Sequence, residues 1–84
     1  MAKVTIYTKS NCPYCVRAKQ LFKNKSVSFE EIDLDDKYEE YQTLKNKTGL
    51  MTVPQIFINE KLIGGYTEAA TLDQEGQLDQ LLND

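Results

Sequence analysis

Residues 10–15 read Ser-Asn-Cys-Pro-Tyr-Cys and contain both cysteines of the chain, Cys12 and Cys15, in a C-x-x-C spacing. The preceding residues 4–7, Val-Thr-Ile-Tyr, predict a β-strand, and the following residues 16–22 have the apolar spacing of a helix. A C-x-x-C pair placed where a strand passes into a helix predicts thiol redox chemistry.

The helix start predicts different roles for the two thiols. Only the thiolate is a nucleophile, and an ordinary cysteine, with a pKa of about 8.5, is mostly protonated at neutral pH. Cys12 precedes Pro13, which suits the first helical position, so unpaired N–H groups and the helix dipole should lower the pKa of Cys12. Lys9 adds positive charge nearby. We therefore predict Cys12 as the nucleophile and Cys15, one turn further along the same face, as the resolving thiol.

The composition predicts one globular domain over residues 1–84, with 40% hydrophobic and 27% charged residues. A net charge of -3 argues against a nucleic-acid partner, and no apolar run approaches the length of a membrane span. We expect a cytoplasmic monomer with neither kind of partner. In that compartment a C-x-x-C pair is more often catalytic or metal-binding than structural.

A zinc site is the metal-binding alternative for the cysteine pair. Tetrahedral zinc needs four ligands, and the chain has no histidine and no other cysteine. Zinc would therefore require a second chain or external thiols, and we expect no metal.

The hydrophobic pattern of the whole chain predicts an α/β fold. A strand over residues 3–8 is followed by a helix over about residues 13–24 and a strand over residues 29–34. This order makes the two strands parallel, joined by a right-handed crossover. Later strands are predicted at residues 54–58 and 61–63, joined by a turn at residues 59–60. With the remaining helices, the predicted order is βαβαββα(α).

Polar residues and glycines predict where the later helices begin and end. Asp35 and Asp36 are the predicted N-terminal caps of the second helix, and Gly49 its C-terminal cap. Thr67 is the predicted cap of the last helical region, which Gly76 should divide into two short helices.

Three motifs occur in order along the chain: Cys-Pro-Tyr-Cys at residues 12–15, Thr-Val-Pro at residues 52–54 and Gly-Gly-Tyr-Thr-Glu at residues 64–68. In this combination the chain resembles a dithiol glutaredoxin over essentially its whole length. The resemblance implies a thioredoxin-like fold, with a four-stranded mixed sheet flanked by helices. It also implies a cis peptide bond at Pro54, which would face the two cysteines.

The resemblance further implies a groove for the tripeptide glutathione beside Cys12. Val53 would offer backbone hydrogen bonds to the cysteinyl part, in the manner of an added strand. Lys9 would attract the glycine carboxylate. Thr67 and Glu68, with nearby backbone N–H groups, would hold the γ-glutamyl end.

Tyr14 would flank this groove, and Gly65 would permit a close approach of the ligand. Simpler roles stay open: Lys9 as a solvated charge, Tyr14 as a packing residue, Thr67 as a helix cap and Gly65 as a turn residue. The glutathione-binding residues implied by the resemblance are Lys9, Tyr14, Thr52, Val53, Pro54, Gly65, Thr67 and Glu68.

The chain departs from the family pattern at Tyr41. Many members have an Arg or Gln at this place, thirteen residues before the motif proline, where it helps to hold the glycine carboxylate. Here the position is a tyrosine with Gln42 beside it. The sequence therefore leaves the second partner of that carboxylate unassigned.

The leading hypothesis is a glutathione-dependent thiol-disulfide oxidoreductase that reduces protein disulfides and glutathionyl mixed disulfides through Cys12 and Cys15. Glutathione would be the co-substrate, the role would be electron transport and cell redox homeostasis, and the resemblance suggests ribonucleotide reductase as a client. One alternative is a glutaredoxin-like protein reduced by thioredoxin reductase. Another is a protein that binds an iron-sulfur cluster between two chains through Cys12 and glutathione, although that group more typically has a C-G-x-S site.

Overall fold

The computed structural model describes residues 2–83 as four strands and four helices in the order βαβαββαα. The strands are β1 (Val4–Thr8), β2 (Glu30–Asp33), β3 (Gln55–Ile58) and β4 (Lys61–Gly64). The helices are α1 (Pro13–Asn24), α2 (Tyr38–Thr48), α3 (Tyr66–Gln74) and α4 (Gln77–Leu82). The predicted order of elements is confirmed, with strand boundaries that differ by at most one residue.

The four strands form one mixed sheet in the order β2-β1-β3-β4. β1 pairs in parallel with β2, placing Tyr7 opposite Ile32, and antiparallel with β3, placing Ile6 opposite Ile56. β3 and β4 form an antiparallel hairpin, whose turn at Asn59 has a positive φ of 52°. Successive side chains of a strand point to opposite faces, so the central β1 supplies residues to both sides of the sheet.

The larger core lies between the sheet and helices α1, α3 and α4. Alternate residues of β1 face this core, and residues three or four apart on α1 meet them there. Its buried members are Val4, Ile6, Ala18, Phe22, Ile56, Ile58, Ala69 and Leu78. On the other face, Leu44 of α2 packs with Phe57 and Leu34. None of the helices in residues 2–83 is long and apolar enough to cross a membrane.

Two predicted caps are wrong. α2 begins at Tyr38 after Lys37, without a side-chain cap, because the carboxylate of Asp35 is already bound by Ser10. Asp36 lies in the turn before the helix, with a φ of 60°.

At the start of α3, Thr67 is inside the helix, and Gly65 is the N-cap. Glu68 Oε1 accepts a hydrogen bond from the Gly65 backbone N–H at 2.7 Å, so the glutamate does the capping from within the first turn. The predictions for the two helix-ending glycines are confirmed. Gly49 ends α2 and Gly76 separates α3 from α4, with φ angles of 77° and 76°.

Glu31 joins the first three elements of the fold. Its Oε2 accepts a hydrogen bond from Thr8 Oγ1 at 2.8 Å and lies 3.0 Å from Lys19 Nζ of α1. The Thr8 hydroxyl is the largest cause of a lowered pKa of the Glu31 carboxyl, with Lys19 contributing in the same direction. The carboxylate therefore holds β1, β2 and α1 together near the end of β1.

We expect Glu31→Gln to lower the free energy of unfolding by about 1 kcal/mol at neutral pH, a modest value because the side chain is 37% exposed. Since the folded-state pKa lies below the ordinary value of 4.5, this stabilisation is present above about pH 4.5 and is lost as the pH falls through the folded pKa. Denaturant unfolding of both proteins across the acid range measures the difference.

Glu30→Gln is the matched control, because Glu30 is an exposed carboxylate one residue earlier on β2. It should change stability by less than about 0.5 kcal/mol at any pH. A difference between wild type and Glu31→Gln that stayed constant from neutral to strongly acid pH would contradict the role of the ionised carboxylate.

Candidate active site

The two cysteines lie at the N-terminus of α1 and are joined as a disulfide. Cys12 is the N-cap residue, and Cys15 lies one turn into the helix, with a Cα–Cα distance of 5.2 Å between them. The Cys15 backbone N–H donates to Cys12 Sγ at 3.1 Å. The C-x-x-C spacing thus brings the redox-active pair together on one helical turn.

The environments of the two sulfurs differ in access to solvent. The Cys15 residue is only 2% exposed, whereas Cys12 is partly exposed and lines a cavity of about 440 Å³. A disulfide of another molecule can therefore reach Cys12 and not Cys15. This asymmetry agrees with the predicted order of attack, in which Cys12 reacts first and Cys15 resolves.

Several features favour a thiolate at Cys12 once the pair is reduced. The first turn of α1 contains no acidic residue, and the positive end of the helix dipole lies at the N-cap. The Cys15 N–H points at Cys12 Sγ and would be a charge-assisted donor to the thiolate. Lys9 lines the same cavity as Cys12 and adds positive charge there.

Asp35 fixes the loop that leads into the cysteines. Its carboxylate accepts hydrogen bonds from the backbone N–H of Ser10, at 3.1 Å, and from the Ser10 hydroxyl. These two hydrogen bonds lower the pKa of Asp35, and the charge of Lys9 lowers it further. No short-range pattern in the sequence indicates this contact, because only the parallel pairing of β1 and β2 brings Ser10 and Asp35 together.

The loop before β3 forms the opposite wall of the site. The Val53–Pro54 peptide bond is cis, which confirms the prediction for Pro54, and the Val53 carbonyl oxygen lies 3.7 Å from Cys12 Sγ. The buried side chain of Gln55 stabilises this loop. Its amide donates to the carbonyl oxygens of Leu50 and Thr52, at 3.0 and 3.1 Å. No motif in the sequence indicates this role of Gln55.

Two adjoining cavities meet at this loop, and each predicted glutathione-binding residue lines one or both. A cavity of about 160 Å³ lies between α1, the loop and the start of α3; it is lined by Tyr14, Thr52, Val53, Pro54, Gly65, Tyr66, Thr67 and Glu68. The larger cavity around Cys12 shares Thr52 and Val53 and contains Lys9, Tyr41 and Met51. The binding roles of these residues remain predictions.

Tyr66, the tyrosine of the Gly-Gly-Tyr-Thr-Glu motif, also lines the smaller cavity, although nothing in the sequence pointed to it. Its ring stacks on that of Tyr14, with centroids 6.1 Å apart and planes inclined by 30°. The Tyr14 ring also lies 5.2 Å from Arg17 Cζ. The two tyrosines therefore connect the start of α1 with the start of α3 across the smaller cavity.

Both glycines of the motif lie close to the side chain of Glu68. A Cβ at Gly64 would lie 2.9 Å from Glu68 Cγ, and Gly64 has a φ of 123° that other residues rarely adopt. A Cβ at Gly65 would lie 3.2 Å from Glu68 Oε1, the oxygen that accepts the Gly65 N–H. Within residues 2–83 there is no group of three or more metal-ligating side chains.

The sequence model of the Glutaredoxin family matches residues 4–63 of the chain. Over 82 residues the chain is 48% identical to Glutaredoxin 3 of Escherichia coli (strain K12), an alignment that covers 98% of this chain and 99% of that relative. A glutaredoxin of Pseudomonas aeruginosa is also 48% identical, over 83 residues and 99% of each chain.

Solved structures agree with these relatives. The crystal structure of a buckwheat glutaredoxin-glutathione complex superposes with a TM-score of 0.91 at 32% identity, covering 95% of this chain and 76% of that one. The likeness confirms the predicted thioredoxin-like fold. The chain therefore belongs to the glutaredoxin family and is a dithiol thiol-disulfide oxidoreductase.

Proposed function

We propose that glutathione is the electron donor of this oxidoreductase and that Cys12 is its nucleophile. The observation that carries the proposal is the meeting of two cavities at the loop beside Cys12, the more accessible of the two cysteines. One cavity supplies a cation, Lys9, and the other supplies backbone N–H groups at the start of α3. The buckwheat relative, which was solved as a glutathione complex, supports the assignment.

The two ends of glutathione need different partners, and the cavities differ in the same way. The glycine end carries only a carboxylate, for which Lys9 is a suitable partner. The γ-glutamyl end carries both an amine and a carboxylate. Free N–H groups in the first turn of α3, around Thr67, suit that carboxylate, and the carboxyl group of Glu68 suits the amine.

The middle of glutathione would lie along the loop before β3. Val53 presents backbone groups beside Cys12, and an extended peptide can pair with such an edge. Thr52 and Pro54 complete that wall, while Tyr14 and Gly65 line the adjoining cavity. Bound in this way, glutathione would have its sulfur next to Cys12 Sγ.

With a glutathionylated substrate, the Cys12 thiolate attacks the glutathione sulfur. A Cys12–glutathione disulfide forms, and the substrate leaves as a thiolate. A second glutathione thiolate then attacks the glutathione sulfur of this mixed disulfide. Oxidised glutathione leaves, and Cys12 returns as a thiolate without any need for Cys15.

With a protein disulfide, Cys12 forms a mixed disulfide with one substrate sulfur. Cys15 then attacks Cys12 Sγ, which releases the substrate as a dithiol and leaves the internal disulfide seen in the structure. Two glutathione molecules reduce that disulfide in turn. We propose that the protein works as a monomer in the cytoplasm, with ribonucleotide reductase, suggested by the family resemblance, as a client.

A coupled assay tests the electron donor. With glutathione, glutathione reductase and a small glutathionyl mixed disulfide, we expect turnover that saturates with substrate. With thioredoxin reductase in place of the glutathione system, we expect turnover at least ~10-fold slower. The two cavities beside Cys12 suit glutathione, and the reductase would gain no binding energy from them. The reverse preference would overturn the proposed donor and favour the thioredoxin-reductase alternative.

Single cysteine variants test the assigned roles. Cys12→Ser should lower both activities by at least ~10³-fold, since the only accessible thiol is lost. Cys15→Ser should retain the reduction of glutathionyl mixed disulfides and lose most reduction of protein disulfides, because only the second cycle uses Cys15. Full activity of Cys12→Ser in the glutathione assay would refute the assignment of the nucleophile.

Gly64→Ala tests whether the position of Glu68 matters for glutathione. The new Cβ would meet Glu68 Cγ at 2.9 Å and displace the carboxyl group that caps α3, so we expect KM for the glutathionyl substrate to rise about fivefold. The φ of 123° should also cost about 1–3 kcal/mol of unfolding free energy.

Gly49→Ala is the matched control for backbone strain. Gly49 also has a positive φ, 77°, but a Cβ there has no neighbour within 4 Å, and the residue ends α2 outside both cavities. We expect a stability loss of about 1 kcal/mol with unchanged KM. Equal KM values for wild type and both variants would contradict a role of Glu68 in binding.

A further inference from the structure

Residues 50–53 lead into Pro54 and β3, and side chains rather than backbone pairing hold this loop in shape. In the described part of the chain, none of the four residues takes part in a backbone–backbone hydrogen bond. The side-chain amide of Gln55 donates instead to the carbonyl oxygens of Leu50 and Thr52, at 3.0 and 3.1 Å. The shape of the loop therefore depends on Gln55.

The other two carbonyl oxygens of the loop have different partners. That of Met51 accepts a hydrogen bond from the Tyr41 hydroxyl at 3.1 Å, whereas that of Val53 lies 3.7 Å from Cys12 Sγ. The Val53 N–H has no backbone acceptor among residues 2–83. Of four consecutive residues, only Val53 thus has its carbonyl oxygen at the reacting sulfur.

The burial of Gln55 needs an explanation. The residue is 0% exposed, and it lies on the face of β3 where Phe57 packs with Leu34 and Leu44. Its Oε1 has no hydrogen-bond partner among residues 2–83, so the amide is placed there for its two donors. An aliphatic side chain would suit this apolar layer better, since a buried amide with an unpaired atom destabilises a fold. The amide therefore serves the loop rather than the core.

We propose that Gln55 is a positioning residue for the reaction at Cys12. By holding the carbonyl oxygens of Leu50 and Thr52 on the inner side of the loop, it keeps the backbone of Val53 directed at the chain that approaches Cys12. Gln55 touches no substrate and acts only through the loop. The proposal rests on glutathione being the co-substrate, because the extended backbone of that tripeptide is what Val53 would pair with.

The test replaces Gln55 with methionine, which keeps the unbranched shape of the side chain and removes both donors. For a small glutathionyl mixed disulfide in the glutathione-coupled assay, we expect Gln55→Met to raise KM about five- to tenfold, with kcat changed less than about twofold. Alkylation of reduced Cys12 by iodoacetamide does not involve Val53. Its rate and pH dependence should therefore equal those of wild type.

Ile58→Val is the matched control for a general loss of stability. Ile58 is on the same strand and is 2% exposed, but it belongs to the core between the sheet and α1 and lines neither cavity beside Cys12. This variant should unfold at a lower denaturant concentration than wild type and have the same KM.

Gln55→Glu keeps the size of the side chain and decides the matter if Gln55→Met does not fold. Burial favours the protonated carboxyl group, which donates one hydrogen bond where the amide donates two. At pH 6 we expect its KM to be about two- to threefold above that of wild type and below that of Gln55→Met.

The outcomes separate this proposal from the proposed function. Equal KM values for wild type and the folded Gln55 variants would overturn the role of Gln55 while leaving glutathione as the donor. Slower alkylation of Cys12 in Gln55→Met would also overturn it, since the amide would then act on the thiolate, and so would an equal rise in KM in Ile58→Val. A wild-type protein that did not turn over the glutathionyl substrate would overturn the proposed function and this role together.

Discussion

The parallel pairing of β1 with β2 is the constraint on which the active site depends. Parallel strands end at the same edge of a sheet, so the residues that follow β1 and β2 are neighbours in space although about 25 residues apart in sequence. Asp35 can therefore bind Ser10, and Glu31 can bind both Thr8 and Lys19. These contacts fix the direction in which the chain leaves β1 and begins α1, whose N-terminus carries both cysteines.

The far end of α1 is also fixed, by an ion-pair cluster at the residue that ends the helix. Lys25 Nζ lies 2.6 Å from Asp73 Oδ1 of α3 and 2.8 Å from Asp79 Oδ1 of α4. These two carboxylates raise the pKa of Lys25. Because the start of α3 lines the smaller cavity, the cluster helps to keep that cavity wall in place relative to the helix that carries the cysteines. The cysteines and the cavity thus belong to one packed unit.

Local patterns in the sequence were sufficient for the elements of the fold and for the cysteine pair, since strand alternation, helical spacing and a proline at a helix start are all short-range signals. They did not show which partner a polar side chain finds in the folded chain. Asp35 follows a strand as a helix cap would, but its carboxylate binds Ser10, 25 residues away. Thr67 looks like a cap, but Glu68 performs that function. Gln55 was missed because the strand pattern does not show that its side chain turns back to the carbonyl oxygens of Leu50 and Thr52.

The burial of Cys15 has a consequence for oxidative damage. Of the two cysteine sulfurs, a peroxide in solution meets only that of Cys12, and its first product there would be a sulfenic acid. The Cys15 thiol lies within bonding reach, and condensation with it expels water and closes the disulfide before a second oxidant arrives. Oxidation then stops at a state that thiols can reverse, rather than continuing to sulfinic or sulfonic acid. The buried thiol therefore protects the exposed one from irreversible loss.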